Sequence, residues 1–363
     1  MFDLSTLGFV KVSAFDPSRR VNLDYKVEYP ERIARRGHLK GVMLPSPFLI
    51  KEDDFRTLHE WGARLVRYQI NREWDKCNGN SNAAEYDEYI GAVIKDLDKV
   101  LEWAREYGIL VTIDLHGVPG AKSNSRDMNL FYEKRYLAHF VRTWRRLAEH
   151  FRGNPSVYGY DLINEPWQNV DGAPYSYWDC QRLAAKAIRK VDPDTPIIVE
   201  SNVCAQPETF AYLSPLAMGN VIYEVHMYAP TAFTHQNVVA PQPRVAYPDA
   251  SKGWDRAGLE KILKPVVEFQ KRHHARIYVG EFSAISWAEG ADRYIADCID
   301  IFRDYGWDWT YHAFREWEGW SVEHAGTCVW EGADDRHNGT KRTSFHPSAD
   351  NPRKRALLKG FRE

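Results

Sequence analysis

Two glutamates carry flanks that suit them for chemistry: Glu165 in the run LINEP (162–166) and Glu281 in GEF (280–282), 116 positions further on. Two carboxyl groups aimed at one bond can break a glycosidic linkage. One, as an acid, protonates the departing oxygen, while the other, ionised, faces the anomeric carbon and stabilises an oxocarbenium-like transition state. Carboxyl groups about 5 Å apart give retention through a covalent glycosyl-enzyme, and about 6.5 Å or more gives inversion. Further polar candidates are Arg67 in RLVRYQI, His116 in DLHG, Asn164 beside Glu165, and His226 and Tyr228 in EVHMY. Either glutamate alone is an ordinary strand-end residue; the pair with its flanks is the signal.

Residues so far apart in sequence need a scaffold that gathers them. Eight short apolar, β-branched runs alternate with longer stretches of helical periodicity: Leu39 to Leu44, Arg64 to Ile70, Ile109 to Leu115, Val157 to Ile163, Pro196 to Glu200, Val221 to Met227, Arg276 to Gly280 and Trp307 to Phe314. Helices are expected at Glu52 to Trp61, Glu85 to Tyr107, Leu130 to Phe151, Tyr177 to Val191, near Glu208 to Leu213, Asp255 to His273, Asp292 to Tyr305, and Pro352 to Phe361. This α/β pattern predicts a (β/α)8 TIM barrel, whose active site lies at the C-terminal ends of the strands. Arg67, His116, Glu165, His226 and Glu281 all fall at such ends, on strands two, three, four, six and seven. Gly108 is placed to cap a helix before strand three, and DPDTP (192–196) ends another before strand five. The runs FVKVSAF and VNLDYKV, before strand one, read as a small hairpin closing the barrel floor. Arg315 to Asp350, after strand eight, reads as a long loop rich in Trp, Gly, Asp and His, and a loop of that length usually has a function.

Composition removes several classes. Lysine plus arginine number 48 against 50 acidic residues, leaving no basic excess for a phosphate backbone. The RKR at 353–355 reads as a solvated helix face. No run approaches the ~18 apolar residues of a membrane span. The five cysteines (77, 180, 204, 298, 328) show neither CxxC nor zinc spacing and read mostly as buried thiols. The first ten residues carry no export signal, which leaves the compartment open. Without linker or repeat, residues 1–363 read as a single domain. Thirteen tryptophans exceed what such a core needs. Trp61, Trp103 and Trp144 sit at helical packing positions. Trp74, Trp167, Trp178, Trp254, Trp287, Trp317, Trp320 and Trp330 lie in or near strand-to-helix loops, where some are expected to stack on sugar rings.

The order NEP, HxY, GEF after an upstream arginine resembles glycoside hydrolase family 5, a family of retaining (β/α)8 glycosidases, over about Leu39 to Glu316. The resemblance implies Glu165 as acid/base, Glu281 as nucleophile, and Arg67, His116, His226 and Tyr228 as the hydrogen-bonding shell. Physical arguments fit those roles. Arg67 near Glu281 would keep that carboxylate ionised, a Tyr228 hydroxyl would do the same, and Asn164 would donate to the sugar 2-hydroxyl. The charge on Glu281 and partial burial are expected to raise the pKa of Glu165. Many family members have a tryptophan at the end of strand eight to floor the sugar site. Here WTYHAFREW puts His312 at that position, so the platform is expected from Trp317 or Trp320, with Trp287 nearby. The loop at 114–129 looks like that of glucan-active members, including exo-acting β-1,3-glucanases. Glu224 shares strand parity with His226 and is expected to be a buried partner of Arg or His.

The sequence thus predicts a retaining β-glycosidase, foremost an endo-acting β-1,4-glucanase. It is expected to need no metal or other cofactor and to act as a monomer on a β-linked oligo- or polysaccharide, without nucleic-acid or membrane partners. An exo-acting β-glucanase, β-glucosidase or β-mannanase of the same fold, and a non-catalytic sugar-binding barrel, are the alternatives. A metal-dependent hydrolase built on His116, His226 and His312 ranks behind them.

Overall fold

A computed structural model of the chain describes residues 24–71, 80–122, 127–168, 173–239, 241–323 and 350–363. The eight expected runs form strands β1 (Lys40–Met43), β2 (Leu65–Gln69), β3 (Leu110–Asp114), β4 (Val157–Asp161), β5 (Ile197–Glu200), β6 (Val221–Met227), β7 (Arg276–Phe282) and β8 (Asp308–Tyr311). Each pairs in parallel with the next, and β1 pairs with β8, closing the barrel. The register slips once between β3 and β4 and once at Val225/His226 between β6 and β7. The second slip sets His226 opposite Glu281.

The helices between them follow local signals. The helix α1 (Glu52–Trp61) ends at Gly62, whose φ of +99° is open to glycine at little cost. The helices α2 (Ala83–Glu106), α3 (Lys134–Phe151), α4 (Tyr177–Arg189), α5 (Arg256–His273), α6 (Ala291–Tyr305) and α7 (Pro352–Arg362) complete the set of long helices among the described residues. Asn82, Ser176, Asp255 and Asn351 cap α2, α4, α5 and α7, each side chain accepting from a first-turn N–H. Between β5 and β6 the expected short helix is a 3₁₀ turn, Pro207–Tyr212. The helix expected from Leu130 begins at Lys134, after a separate 3₁₀ turn at Asn129–Phe131.

The expected hairpin falls almost wholly on residues 1–23, and most of the expected long loop on 324–349, both outside the described residues. Residues 24–30 form no strand but do cross the barrel floor, where Val27 N–H donates to His273 O at 2.8 Å and Tyr29 Oη to Val221 O at 2.6 Å. Leu65, Tyr158, Ile198, Ile222 and Tyr278 plug the barrel's lower interior. Asp308 below them takes Tyr158 Oη at 2.6 Å and Arg276 Nη2 at 2.9 Å. The main apolar core lies between strands and helices and includes Trp144, whose indole N–H donates to Leu162 O. With the floor filled, the open end of the barrel is the C-terminal one.

Candidate active site

The upper interior of the barrel is built around one cation. Arg67, on β2, is fully buried. Its guanidinium lies 2.6 Å from Glu281 Oε1, 2.7 Å from Asp161 Oδ2, 3.1 Å from Glu200 Oε1, 3.3 Å from Asp114 Oδ2 and 3.4 Å from Glu224 Oε1. Nη2 also donates to Asn164 Oδ1 at 3.0 Å. Burial alone would lower the arginine's pKa, but the surrounding carboxylates outweigh it and raise it well above normal. Burial together with the Glu224 charge pushes the Asp161 carboxyl up against the pull of Arg67, and burial likewise raises Glu200. Asp114 Oδ1, Asp161 Oδ1 and Glu224 Oε2 are buried without a hydrogen-bond partner among the described residues. Asp161 and Glu200, raised in this way, favour the protonated form, because burial penalises the charged one.

Above this pit sit Glu165 and Glu281. Carboxylate oxygens of the two lie within 4.8 Å of each other and of a His226 nitrogen. Glu165 has φ +47°, a conformation costly for a residue with a side chain. Its N–H is tied to Glu200 Oε2 at 2.8 Å, so a buried acid fixes the bend that presents it. Its side chain is 24% exposed against 6% for Glu281, which places Glu165 on the solvent side of the pair. For Glu281, burial acts upward but His226, His312 and Arg67 outweigh it and hold the carboxyl well below the usual range. Gly280 leaves room for this arrangement, since a Cβ there would lie 1.5 Å from Glu224 Oε1.

His226 Nδ1 faces Glu165 Oε1 at 3.0 Å and Nε2 faces Glu224 Oε1 at 3.1 Å. A ring with a carboxylate at each nitrogen is stabilised as imidazolium. Burial opposes that, yet the Glu281, Glu200, Glu165 and Glu224 charges raise its pKa well above the ordinary value. This reverses the expectation for Glu165: burial pushes its carboxyl up, but the His226 hydrogen bond and charge bring the net direction below normal. It also bears on metal binding. Glu165, His226 and Glu281, and Glu200, Glu224 and His226, are grouped closely enough for a cation. Both groups depend on His226, whose nitrogens each face a carboxylate as donors.

His116 and Asn164 form the opposite edge. His116 Nδ1 donates to Asp114 Oδ2 at 2.8 Å, and Nε2 accepts from Asn164 Nδ2 at 3.1 Å. One Asn164 N–H remains without a partner among the described residues and can serve a ligand. Tyr228 Oη donates to Glu281 Oε2 at 2.8 Å and lies 2.5 Å from His312 Nδ1.

His312 follows β8 at the position expected to hold tryptophan, and its imidazole stacks on Trp320 (centroids 5.7 Å, interplanar 29°). Trp320 is 8% exposed, so it backs His312 rather than facing solvent. Trp317 meets Trp320 edge-on at 5.8 Å, and Trp287 meets Trp317 in the same way at 5.8 Å. The Trp287 N–H is spent on Gln236 O. Trp287 thus continues an aromatic row that runs from His312 through Trp320 and Trp317. Trp74 and Trp330 lie outside the described residues.

The sequence reading left out Asp114, Asp161 and Glu200. Strand parity was the available signal, for Asp114 lies two residues before His116 as Glu224 lies two before His226. Glu224 lies where it was expected, beneath the site between Arg67 and His226. Cys180 and Cys298 are buried as expected, whereas Cys204 is half-buried. Cys204 belongs to a left-handed turn, Val203 to Ala205, with φ of 56°, 56° and 53°. Such a turn costs about 1–2 kcal/mol per residue. Its Cys204 N–H donates to Pro166 O at 3.3 Å, directly behind Glu165.

The family model described as "Cellulase (glycosyl hydrolase family 5)" matches residues 37–317. Endoglucanase C of Acetivibrio thermocellus is 26% identical over 296 residues, covering 72% of this chain and 84% of that enzyme. Cellodextrinase A of Ruminococcus flavefaciens is 25% identical over 251 residues, covering 67% and 71%. Among solved structures, a hyperthermophilic endo-β-1,4-glucanase in complex with substrate superposes with a TM-score of 0.67 at 20% identity, covering 89% of this chain and 96% of that one. That likeness is one of fold.

Proposed function

The chain belongs to glycosyl hydrolase family 5 and is an O-glycosyl hydrolase, and from that premise we propose that it cleaves β-1,4-glucan internally with retention, through Glu165 and Glu281. The observation that carries this reading is the approach of the two carboxylates to within 4.8 Å. That spacing leaves no room for a water between carboxylate and sugar, which an inverting enzyme needs.

In the first step a Glu281 oxygen attacks the anomeric carbon as the glycosidic C–O bond breaks, and Glu165 gives its proton to the departing oxygen. In the second, Glu165 takes a proton from water, the water oxygen bonds to the anomeric carbon, and Glu281 leaves as carboxylate. Arg67 and Tyr228 suit Glu281 to its part by keeping it ionised, oriented and hydrogen-bonded. Glu165 must carry a proton when substrate arrives. A sugar chain seated on its exposed edge removes the remaining water, and that desolvation raises its pKa against the pull of His226. The free Asn164 N–H lies beside Glu165, where the 2-hydroxyl of the reacting sugar would reach it. The glucan preference and the internal cut are supported by the endoglucanase and cellodextrinase relatives.

Product analysis on β-1,4-glucan, β-1,3-glucan, mixed-linkage glucan, mannan and xyloglucan, comparing wild type with Glu281→Gln, tests the proposal. The expected result is oligosaccharides of mixed length from β-1,4-glucan with wild type alone. Turnover by Glu281→Gln at the wild-type rate would overturn the mechanism. Single sugars or a single repeated product length would move the reading to exo action, and sugar binding with no product from any polymer would move it to a non-catalytic barrel.

A further inference from the structure

The residue at the end of β8 is a titratable imidazole joined to Glu281 through one hydroxyl. Tyr228 Oη has a single proton and two neighbours that can accept it, Glu281 Oε2 at 2.8 Å and His312 Nδ1 at 2.5 Å. The state of His312 decides which one receives it. If Nδ1 carries a lone pair, imidazole and carboxylate compete for the phenol proton. If Nδ1 carries a hydrogen, it donates into the Tyr228 oxygen and the phenol proton goes wholly to Glu281.

The other side of the ring determines which state holds. His312 Nε2 is buried, has no hydrogen-bond partner among the described residues, and lies 3.5 Å from Glu316 Oε1. Glu316 is itself held, since Gln69 Nε2 donates to its Oε2 at 3.0 Å and to Leu44 O at 2.9 Å. A neutral ring protonated at Nδ1 would turn its Nε2 lone pair toward a carboxylate. A neutral ring protonated at Nε2 would take the Tyr228 proton away from Glu281. Only the imidazolium suits both ends. The charged and titratable groups facing the ring among the described residues bear on this: Glu316 after β8 and Glu281 from β7 favour the charged form, Arg67 from β2 opposes it, and Tyr228 after β6 meets Nδ1 with its hydroxyl. His235, which packs against Tyr228 and Trp320, is held neutral, its pKa pushed by burial down to about 4. Trp320, stacked on the imidazole, adds a π face to the cation.

We propose that His312 is a positioning residue for Glu281, keeping the Tyr228 proton on that carboxylate while it is protonated and releasing it when it is not. The proposal rests on the nucleophile assignment above. It gives turnover an ionisation that a tryptophan in the same place could not supply: kcat falls as pH rises through the His312 titration, because Glu281 then loses its share of a charge-assisted hydrogen bond. Burial opposes the charged ring, but Glu316 and Glu281 outweigh it, so the titration lies above the ordinary imidazole value.

The test is the kcat–pH profile from about pH 5 to pH 9 for wild type, His312→Gln, Tyr228→Phe, the double variant, Glu316→Gln and Glu316→Asp. His312→Gln is expected to lower kcat about tenfold on the acidic side, the size of one hydrogen bond to a charged group, and to remove one ionisation from the alkaline limb. Since His312 acts through Tyr228, His312→Gln should cost nothing further in the Tyr228→Phe background. Glu316→Gln should move the alkaline limb to lower pH and Glu316→Asp should restore it. An unmoved profile in His312→Gln, or an equal cost with and without Tyr228, overturns the proposal while Glu281→Gln still reports separately on the nucleophile. Histidine NMR on the wild-type protein gives a second readout independent of variant folding. A His312 signal that stays neutral throughout that pH range would refute the proposal, and one that titrates within it, at lower pH in Glu316→Gln, supports it.

Discussion

Replacing Arg67 with Met keeps most of the side-chain volume and removes the charge that five carboxylates share. Breaking a buried ion pair from one side costs about 3–5 kcal/mol, because the remaining charge has no compensation. At about 2.1 cal/mol/K of unfolding entropy per residue, a 363-residue chain loses roughly 4–7 °C in melting temperature for that cost. The loss must depend on pH, and its sign follows from the acids. Without the guanidinium, the folded-state pKa values of Asp161 and Glu200, already raised by burial against the pull of Arg67, rise further above their unfolded values. A group raised in this way contributes its full stability below the unfolded pKa and loses it as pH rises through the folded one. The deficit of Arg67→Met should therefore be largest near pH 8 and shrink toward pH 5, where the orphaned acids protonate. Arg67→Lys, which restores a point charge but not the planar fork, should fall between the two. Thermal unfolding followed by circular dichroism at both pH values decides the matter. A deficit of equal size at pH 5 and pH 8 would refute the electrostatic account and leave only lost packing.

The same reasoning extends to the acids and to the chemistry. Asp161→Asn keeps an acceptor for the two Arg67 N–H groups and removes a carboxyl whose folded pKa is raised, chiefly by burial and Glu224. The wild type should lose stability as pH rises through that raised pKa, so the variant should gain about 1–3 kcal/mol relative to it at alkaline pH and little below the carboxylate range. Urea unfolding at the two extremes measures this, and a difference independent of pH would count against it. Glu165→Gln should lower kcat/KM for unactivated oligosaccharides by about 10²–10⁴-fold, while an aryl glycoside whose leaving group needs no proton should keep most of its rate in the first step. Equal losses on both substrates would remove Glu165 from the acid role.

The barrel could be read from the sequence because its signals are local: eight β-branched runs, Gly62 and Gly108 past helix ends, and Asn, Ser or Asp before helix starts. The exceptions arose where local signals were weak, as in the β5–β6 connection, where a proline start and a short stretch give a 3₁₀ turn. Seven of the polar candidates gather at the mouth as the strand ends require. Trp287 joins them through the aromatic row of Trp317 and Trp320, its indole N–H held by Gln236 O. The sequence could not reveal the excess of acid around Arg67. Asp114, Asp161 and Glu200 lie on three strands, and their shared partner emerges only when the barrel closes. For the same reason the Glu165 shift ran opposite to expectation: the approach of His226 is a matter of three-dimensional distance, while the charge of Glu281 was visible in one dimension.

The single guanidinium also constrains how the chain can be assembled. Arg67 belongs to the second strand, and three of its five carboxylate partners, Glu200, Glu224 and Glu281, belong to the fifth, sixth and seventh. A folding intermediate holding only the last four strands would have to bury three acids with no guanidinium among them, leaving the imidazoles of His226 and His312 to face them. An intermediate of the first four would bury a guanidinium beside two aspartates and leave most of its donors open. Neither half offers a stable resting place, so closure and charge neutralisation become one late event. A gene fragment carrying either half should therefore yield an unstructured chain, and the barrel has no natural seam at which a folding machine, or an engineer, could divide it.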